Sequence, residues 1–344
     1  MHIGVLTGGG DCPGLNAAIR AVTRRGIKTY NSKILGIENG WAGLIQNQTQ
    51  PLSLQSVSGI LHRGGTILGT SRTNPMKDEK NILKIKKNMA SLGVQAVIAI
   101  GGEDTLGAAA GLQEIGIPMV GLPKTIDNDI VKTDMTFGFD TAVSIATDAI
   151  DRLHTTAESH HRVMVVEVMG RHTGWIALKS GIAGGADCIL IPEMPMNIDQ
   201  ICNLIEQRKD RGKTFSLVVV AEGFTLEEGT REHITLDNNI DEFGHVRLGG
   251  IGAIIGTKIE QQMKIETRVT TLGHVQRGGT PTAFDRVLAT RYGVAAVDLV
   301  QNGNFGRMVT LEGSNIKSVP LSDVTGQIQM VDPELYELAK VFFG

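Results

Sequence analysis

What most constrains this chain is a repeated unit in which an unbroken apolar run ends in glycines or acids. Ala96-Val97-Ile98-Ala99-Ile100 runs into Gly101-Gly102-Glu103-Asp104-Thr105. Pro118-Met119-Val120-Gly121-Leu122 runs into Pro123-Lys124-Thr125-Ile126-Asp127-Asn128-Asp129. Short apolar runs bounded by turn residues read as buried strands. In an open parallel sheet, ligands sit beyond the carboxyl ends of such strands. Glu103, Asp104, Asp127 and Asp129 are therefore expected at one mouth, together with Lys124. That density of negative charge calls for a cation, and Mg²⁺ takes a few carboxylates together with substrate phosphates. The two glycines ahead of Glu103 let a phosphate come close to the backbone.

The N-terminus repeats the theme. A strand, His2–Thr7, enters Gly8-Gly9-Gly10-Asp11-Cys12-Pro13-Gly14, and a helix is predicted from about Leu15 to Lys28. Strand, glycine loop and helix form an arrangement that aims backbone amides at an anion. Neither G-x-G-x-x-G nor G-x-x-x-x-G-K-[ST] is present, which argues against a nicotinamide dehydrogenase and against a P-loop. Gly64-Gly65-Thr66-Ile67-Leu68-Gly69-Thr70-Ser71-Arg72 reads as a further anion-binding segment.

Further along, helices are expected over about 78–92 and 140–156, with a strand over 162–169 that ends in Gly170-Arg171. Apolar strands at 188–192 and 216–221 each follow a helix, and Glu222-Gly223 closes the second. This restart of the α/β alternation marks a second domain joined near Gly138. The polar stretch 225–247 reads as an insertion, a hairpin or flap. A helix to Lys264, a strand over 268–273, a long helix over 281–301, a strand pair and a last helix over 333–340 complete the chain. His154, His160 and His161 are expected at a surface or helix end, since no acid or cysteine stands at metal-ligand spacing.

With 344 residues, the chain has room for two cores. Its net charge, 33 − 36 = −3, recruits neither nucleic acid nor membrane. Three scattered cysteines, with no signal peptide and no long apolar run, point to a reduced cytoplasmic protein.

Five segments together resemble the phosphofructokinase family, in the family's order and across essentially the whole chain. They are Gly9-Gly10-Asp11-Cys12-Pro13-Gly14-Leu15-Asn16, Leu68-Gly69-Thr70-Ser71-Arg72, Pro123 to Asp129, Met169-Gly170-Arg171, and Leu272-Gly273-His274-Val275-Gln276-Arg277-Gly278-Gly279. The likeness is to the bacterial branch. It implies two Rossmann-like α/β/α domains with mostly parallel sheets and an active site in the cleft between them. A phosphoryl-donor domain would comprise 1–138 plus 276–326, and a fructose 6-phosphate domain 139–275 plus 327–344. The resemblance makes Asp127 the general base for the sugar 1-hydroxyl, with Thr125 and Asp129 beside it among the residues that bind fructose 6-phosphate. Arg72 and Lys124 would neutralise the transferring phosphoryl, and Glu103 and Asp129 would hold Mg²⁺. Met169, Gly170, Arg171 and Glu222 would hold the sugar. Arg162, Arg268, His274 and Arg277 would hold its 6-phosphate, with Arg162 and Arg268 reaching in from a neighbouring subunit of a homo-oligomer.

The donor is where this chain departs from ATP-using relatives, which resemble Gly-Gly-Asp-Gly-Ser and Pro-Gly-Thr-Ile-Asp-Asn-Asp. Asp104 and Lys124 replace the glycines of those motifs. A carboxylate about 4 Å from a nucleotide phosphate repels it by about 4 kcal/mol at an effective dielectric near 20. Together with Gly10, Asp104 and Lys124 resemble the pattern of diphosphate-dependent members. The alternative is an ATP-dependent 6-phosphofructokinase that tolerates Asp104. Trp41 and Met76 are expected around the place where an adenosine would sit. Leu54 and His154 stand where regulated relatives carry effector-binding arginines, while Arg25 remains.

Overall fold

A computed structural model describes residues 1–226, 235–237 and 247–344. In chain order the elements begin β1 (His2–Thr7), α1 (Leu15–Tyr30), β2 (Lys33–Ile37), α2 (Gly40–Gln46), β3 (Thr49–Leu52) and α3 (Glu79–Leu92). Next come β4 (Ala96–Gly101), α4 (Glu103–Glu114), β5 (Met119–Thr125), β6 (Phe137–Gly138) and α5 (Phe139–His160). They are followed by β7 (Val163–Val168), α6 (Trp175–Ala183), β8 (Cys188–Leu190), α7 (Ile198–Asp210) and β9 (Ser216–Ala221). The rest is β10 (Thr235–Asp237), β11 (Arg247–Leu248), α8 (Ile251–Met263), β12 (Thr267–Thr271), α9 (Ala283–Gln301), β13 (Arg307–Glu312), β14 (Asn315–Pro320) and α10 (Pro333–Lys340). Two compact units result. Met1–Thr141 and Arg277–Ile328 belong to the first, while Ala142 to Gln276 and Gln329–Gly344 supply the described residues of the second.

Unit one is built on a sheet ordered β14-β13-β5-β4-β1-β2-β3, with β6 paired to β5. Its pairings are parallel except at the edges, where β3 runs against β2 and β14 against β13. The central strands β4 and β5 are buried up to Thr125, which is half-buried, because both faces are covered, as their apolar runs require. Helices α1 and α9 pack so tightly that a Cβ on Gly293 would come within 2.7 Å of the Ala18 carbonyl. The chain moves from β1 out to β2 and later returns on β1's other side as β4. The carboxyl ends of β1 and β4 therefore flank a switch point, where an open α/β sheet leaves a crevice.

Unit two carries the parallel sheet β12-β7-β9-β8. Here the order reverses between β7 and β12, so the crevice lies beyond Val168 and Thr271. Asn197 and Gln200 form a reciprocal capping box that starts α7, and Asp332 caps α10 ahead of Pro333. Among the described residues no helix is long and apolar enough to cross a membrane.

Several boundaries differ from expectation. β5 continues to Thr125 because β6 pairs with Lys124 and Thr125, which places both residues in a strand rather than a loop. Glu103 and Asp104 form the first turn of α4, where carboxylates favour the positive helix end. The last strand of unit two stops at Thr271, and Gly273–Arg277 winds into a 3-10 helix. Trp41, expected near the place of an adenosine, is instead 1% exposed and packed within the apolar core. Most of the expected insertion at 225–247 lies outside the described residues; β10 and β11 within it pair antiparallel.

Candidate active site

The glycine loop after β1 is held by backbone bonds to two other segments. Gly8 N–H donates to the Ile100 carbonyl at 2.9 Å, and Gly9 N–H to the Ser71 carbonyl at 3.2 Å. Thr70 Oγ1 donates to the Gly9 carbonyl at 2.6 Å. Gly9 adopts φ +73°, a conformation that disfavours side-chain-bearing residues. These contacts fix the backbone before Arg72 beside the loop, and Arg72 itself is exposed. The Thr105 side chain lies under Gly8, where an added Cβ would meet its Oγ1 at 2.6 Å.

Lys124 reaches this loop from β5. It is 3% exposed, and its ammonium donates to the Gly10 carbonyl. Burial pushes its pKa down and Arg277 adds to that, while Cys12, Asp11 and Asp127 act in the opposite direction. Arg277 lies against the same loop: its Nη1 donates to the Asp11 carbonyl at 3.3 Å, and a Cβ on Gly10 would come within 2.7 Å of that nitrogen. Two cationic side chains thus hold Gly10 and Asp11 through their carbonyls, leaving Gly10 without room for a side chain.

Around this loop stand the acids. Thr125 Oγ1 accepts the Asp127 N–H at 3.1 Å. Asn128, at φ +52°, accepts the Thr136 N–H at 2.9 Å and pins the turn from inside. Asp129's carboxyl is pushed up to about 7, first by burial, then by Asp127, with Glu103 and Asp104 adding. Asp127, Glu103 and Asp104 are thus each close enough to act on Asp129. Glu103 Oε1 also accepts the Gly326 N–H at 2.9 Å. Among the described residues no group of three His, Cys, Asp or Glu side chains forms a metal cage. Mg²⁺ does not require one, since it keeps waters and shares substrate phosphates. All-oxygen donors and the carboxylates crowded around Asp129 suit that ion.

In unit two, β7 ends at Val168 and turns through Met169, Gly170 and Arg171. Gly170 adopts φ +139° and accepts the Gly223 N–H at 3.0 Å, while Glu222 N–H donates to the Val168 carbonyl at 2.9 Å. Gln276, wholly buried, accepts the Met169 N–H at 3.3 Å and donates to the Gly273 carbonyl at 3.0 Å. It ties the Met-Gly-Arg turn to the 3-10 helix that carries His274. Sequence reasoning missed this role, although Gln276 stands inside a motif already singled out.

Arg162 and Arg268 lie elsewhere in that unit. Arg162 precedes β7, and Arg268 is in register with Met164 near that strand's start. The six residues of β7 span about 20 Å. The two arginines therefore sit at the opposite end of the sheet from Met169, Gly170, Arg171, Glu222 and His274. Met76 lies across Gly111 of α4, where an added Cβ would meet its Cε at 2.9 Å. Arg25 gives Nε and Nη2 to Asp298 at 2.8 and 3.1 Å, and His154 Nε2 bonds the Gly184 carbonyl at 2.6 Å.

The phosphofructokinase family model matches residues 2–300. A pyrophosphate–fructose 6-phosphate 1-phosphotransferase of Streptomyces coelicolor is 57% identical over 345 residues, covering all of both chains. One of Amycolatopsis mediterranei is 59% identical with the same coverage. An ATP-dependent 6-phosphofructokinase of Mycobacterium leprae is 51% identical, again over both full lengths. The phosphofructokinase structure from Saccharomyces cerevisiae superposes with a TM-score of 0.81 at 31% identity, covering 94% of this chain and 45% of that one. With its glycine loop, acidic turn and Met-Gly-Arg turn at the switch points of two parallel sheets, this chain belongs to the phosphofructokinase family.

Proposed function

We propose that this chain transfers a phosphoryl group reversibly from diphosphate to the 1-hydroxyl of fructose 6-phosphate, giving fructose 1,6-bisphosphate. One observation carries the choice of donor. The N-terminus of α4, a natural seat for an anion, is occupied by the chain's own Glu103 and Asp104, while buried Lys124 brings a cation to the neighbouring glycine loop. A compact diphosphate is favoured by that cation, whereas the inner phosphate of a nucleotide would meet Asp104. Relatives at 57% and 59% identity carry the diphosphate-dependent name, against 51% for the ATP-dependent one.

Asp127 accepts the proton of the sugar 1-hydroxyl, oriented by the bond from its amide to Thr125. Arg72 and Lys124 offset charge on the transferring phosphoryl, and Gly10 lets diphosphate approach the loop. Glu103 and Asp129 would hold Mg²⁺, which supplies charge neutralisation between phosphates when bound. Met169, Gly170, Arg171 and Glu222 hold the sugar, and His274 and Arg277 its 6-phosphate. Arg162 and Arg268 complete that phosphate site from a neighbouring subunit of a homo-oligomer; their place at the far end of β7 supports this, since one chain's own pair is too distant. Unit one accordingly serves the donor and unit two most of the sugar site, with Arg277 contributed by unit one. Three buried, unpaired cysteines suit a reducing cytoplasm.

The decisive experiment measures turnover of fructose 6-phosphate with Mg-diphosphate, polyphosphate and Mg-ATP side by side. Turnover with diphosphate is expected; turnover with ATP and none with diphosphate would transfer the chain to the ATP-dependent group.

A further inference from the structure

Glu266 stands just before β12, as Arg162 stands just before the adjacent parallel strand β7, and Val163 N–H donates to the Glu266 carbonyl at 3.1 Å. Its carboxylate is divided between two arginines. Oε2 accepts Arg162 Nε at 2.6 Å, and Oε1 accepts Arg268 Nη2. These are the two arginines assigned above to a neighbouring subunit's sugar phosphate. A guanidinium carries five N–H donors in a planar fork, so each arginine commits one nitrogen to Glu266 and keeps others for a second anion. The trio retains a net charge of one positive unit. The two bonds, chiefly the one from Arg162, hold the Glu266 carboxyl below its ordinary range, so it stays ionised at neutral pH.

We propose that Glu266 is a positioning residue for the sugar-phosphate site, holding Arg162 and Arg268 side by side so that both forks meet one phosphate already ordered. The inference rests on the reading that these arginines bind the 6-phosphate. Without the carboxylate, two long, mutually repelling side chains must be ordered by the substrate itself, and binding bears that conformational cost.

The test compares Glu266→Ala, Glu266→Gln, Arg162→Ala and Arg268→Ala for KM of fructose 6-phosphate, kcat and Tm. Glu266→Ala is expected to raise KM roughly fivefold, the upper range for an exposed ion pair, with kcat and Tm changing much less. Glu266→Gln keeps one acceptor oxygen and should fall between it and the parent. A KM that is unchanged or lowered in Glu266→Ala, while both arginine variants raise it, overturns the positioning role alone. A parallel loss of kcat and Tm also overturns it, in favour of a structural role. An unchanged KM in both arginine variants overturns the phosphate-site reading itself.

Discussion

The Lys124 ammonium bonds the backbone carbonyl of Gly10, joining the end of β5 to the loop after β1 across 114 positions of sequence. The lysine is therefore a strut beneath the glycine loop, and in the proposed reading it is also the charge that meets the donor. Arg277, on the Asp11 carbonyl, supports the same loop from another direction.

Replacing both Asp104 and Lys124 with glycine tests donor choice at its source. Loss of Lys124 removes the cation and the strut together, so diphosphate turnover should fall about a hundredfold or more, as when a preorganised charge donor is lost. Removing Asp104 lifts the repulsion at the N-terminus of α4, and weak but measurable use of ATP should appear. A double variant with no ATP turnover would locate donor choice in other residues, with Met76 over Gly111 the first to examine.

Asp127→Ala should separate chemistry from binding. In the proposed reading Asp127 is the proton acceptor, a role worth about 10²–10⁴-fold in turnover, while the proposed sugar ligands Met169, Gly170, Arg171, Glu222 and His274 lie in unit two. Steady-state kinetics should show kcat collapsing at nearly constant KM for fructose 6-phosphate. A comparable loss of affinity would make Asp127 a sugar ligand instead.

Asp129 predicts a pH dependence of stability. Its carboxyl keeps a proton up to about 7 in the folded chain, against 3.8 for an unperturbed aspartate. Within that window the folded state binds more protons than the unfolded state. The contribution of Asp129 to stability is therefore fully present below the window, is lost as pH rises through it and levels off above about 7. The Tm of the Mg-free parent should fall relative to Asp129→Asn across the window. Above it, Mg²⁺ should raise the parent's Tm more than the variant's. Parallel pH profiles of parent and variant would remove Asp129 from the charge cluster.

From its residues alone, the chain declared a parallel α/β architecture and the strand ends at which chemistry gathers. Unbroken apolar runs such as Ala96–Ile100 are stable only between two helical layers, and a pair of acids such as Glu103 and Asp104 cannot continue a buried strand. The acids at 103–104 and 127–129 were legible for that reason, whereas Lys124, Arg72 and the Met-Gly-Arg turn took their roles from the family resemblance. Local pattern did not reveal where β5 ends, because Lys124 and Thr125 become strand only through pairing with Phe137 and Gly138. Nor did it reveal that Trp41 closes a core, that Gln276 bridges two turns, or that Arg277 rests against Gly10. Each depends on contacts between residues far apart in the chain. Only tertiary structure decided that Arg162 and Arg268 share Glu266 at one end of a sheet while Met169, Gly170, Arg171, Glu222 and His274 stand at its opposite end. Strand register sets that separation, and register is a property of neighbouring strands rather than of any one of them.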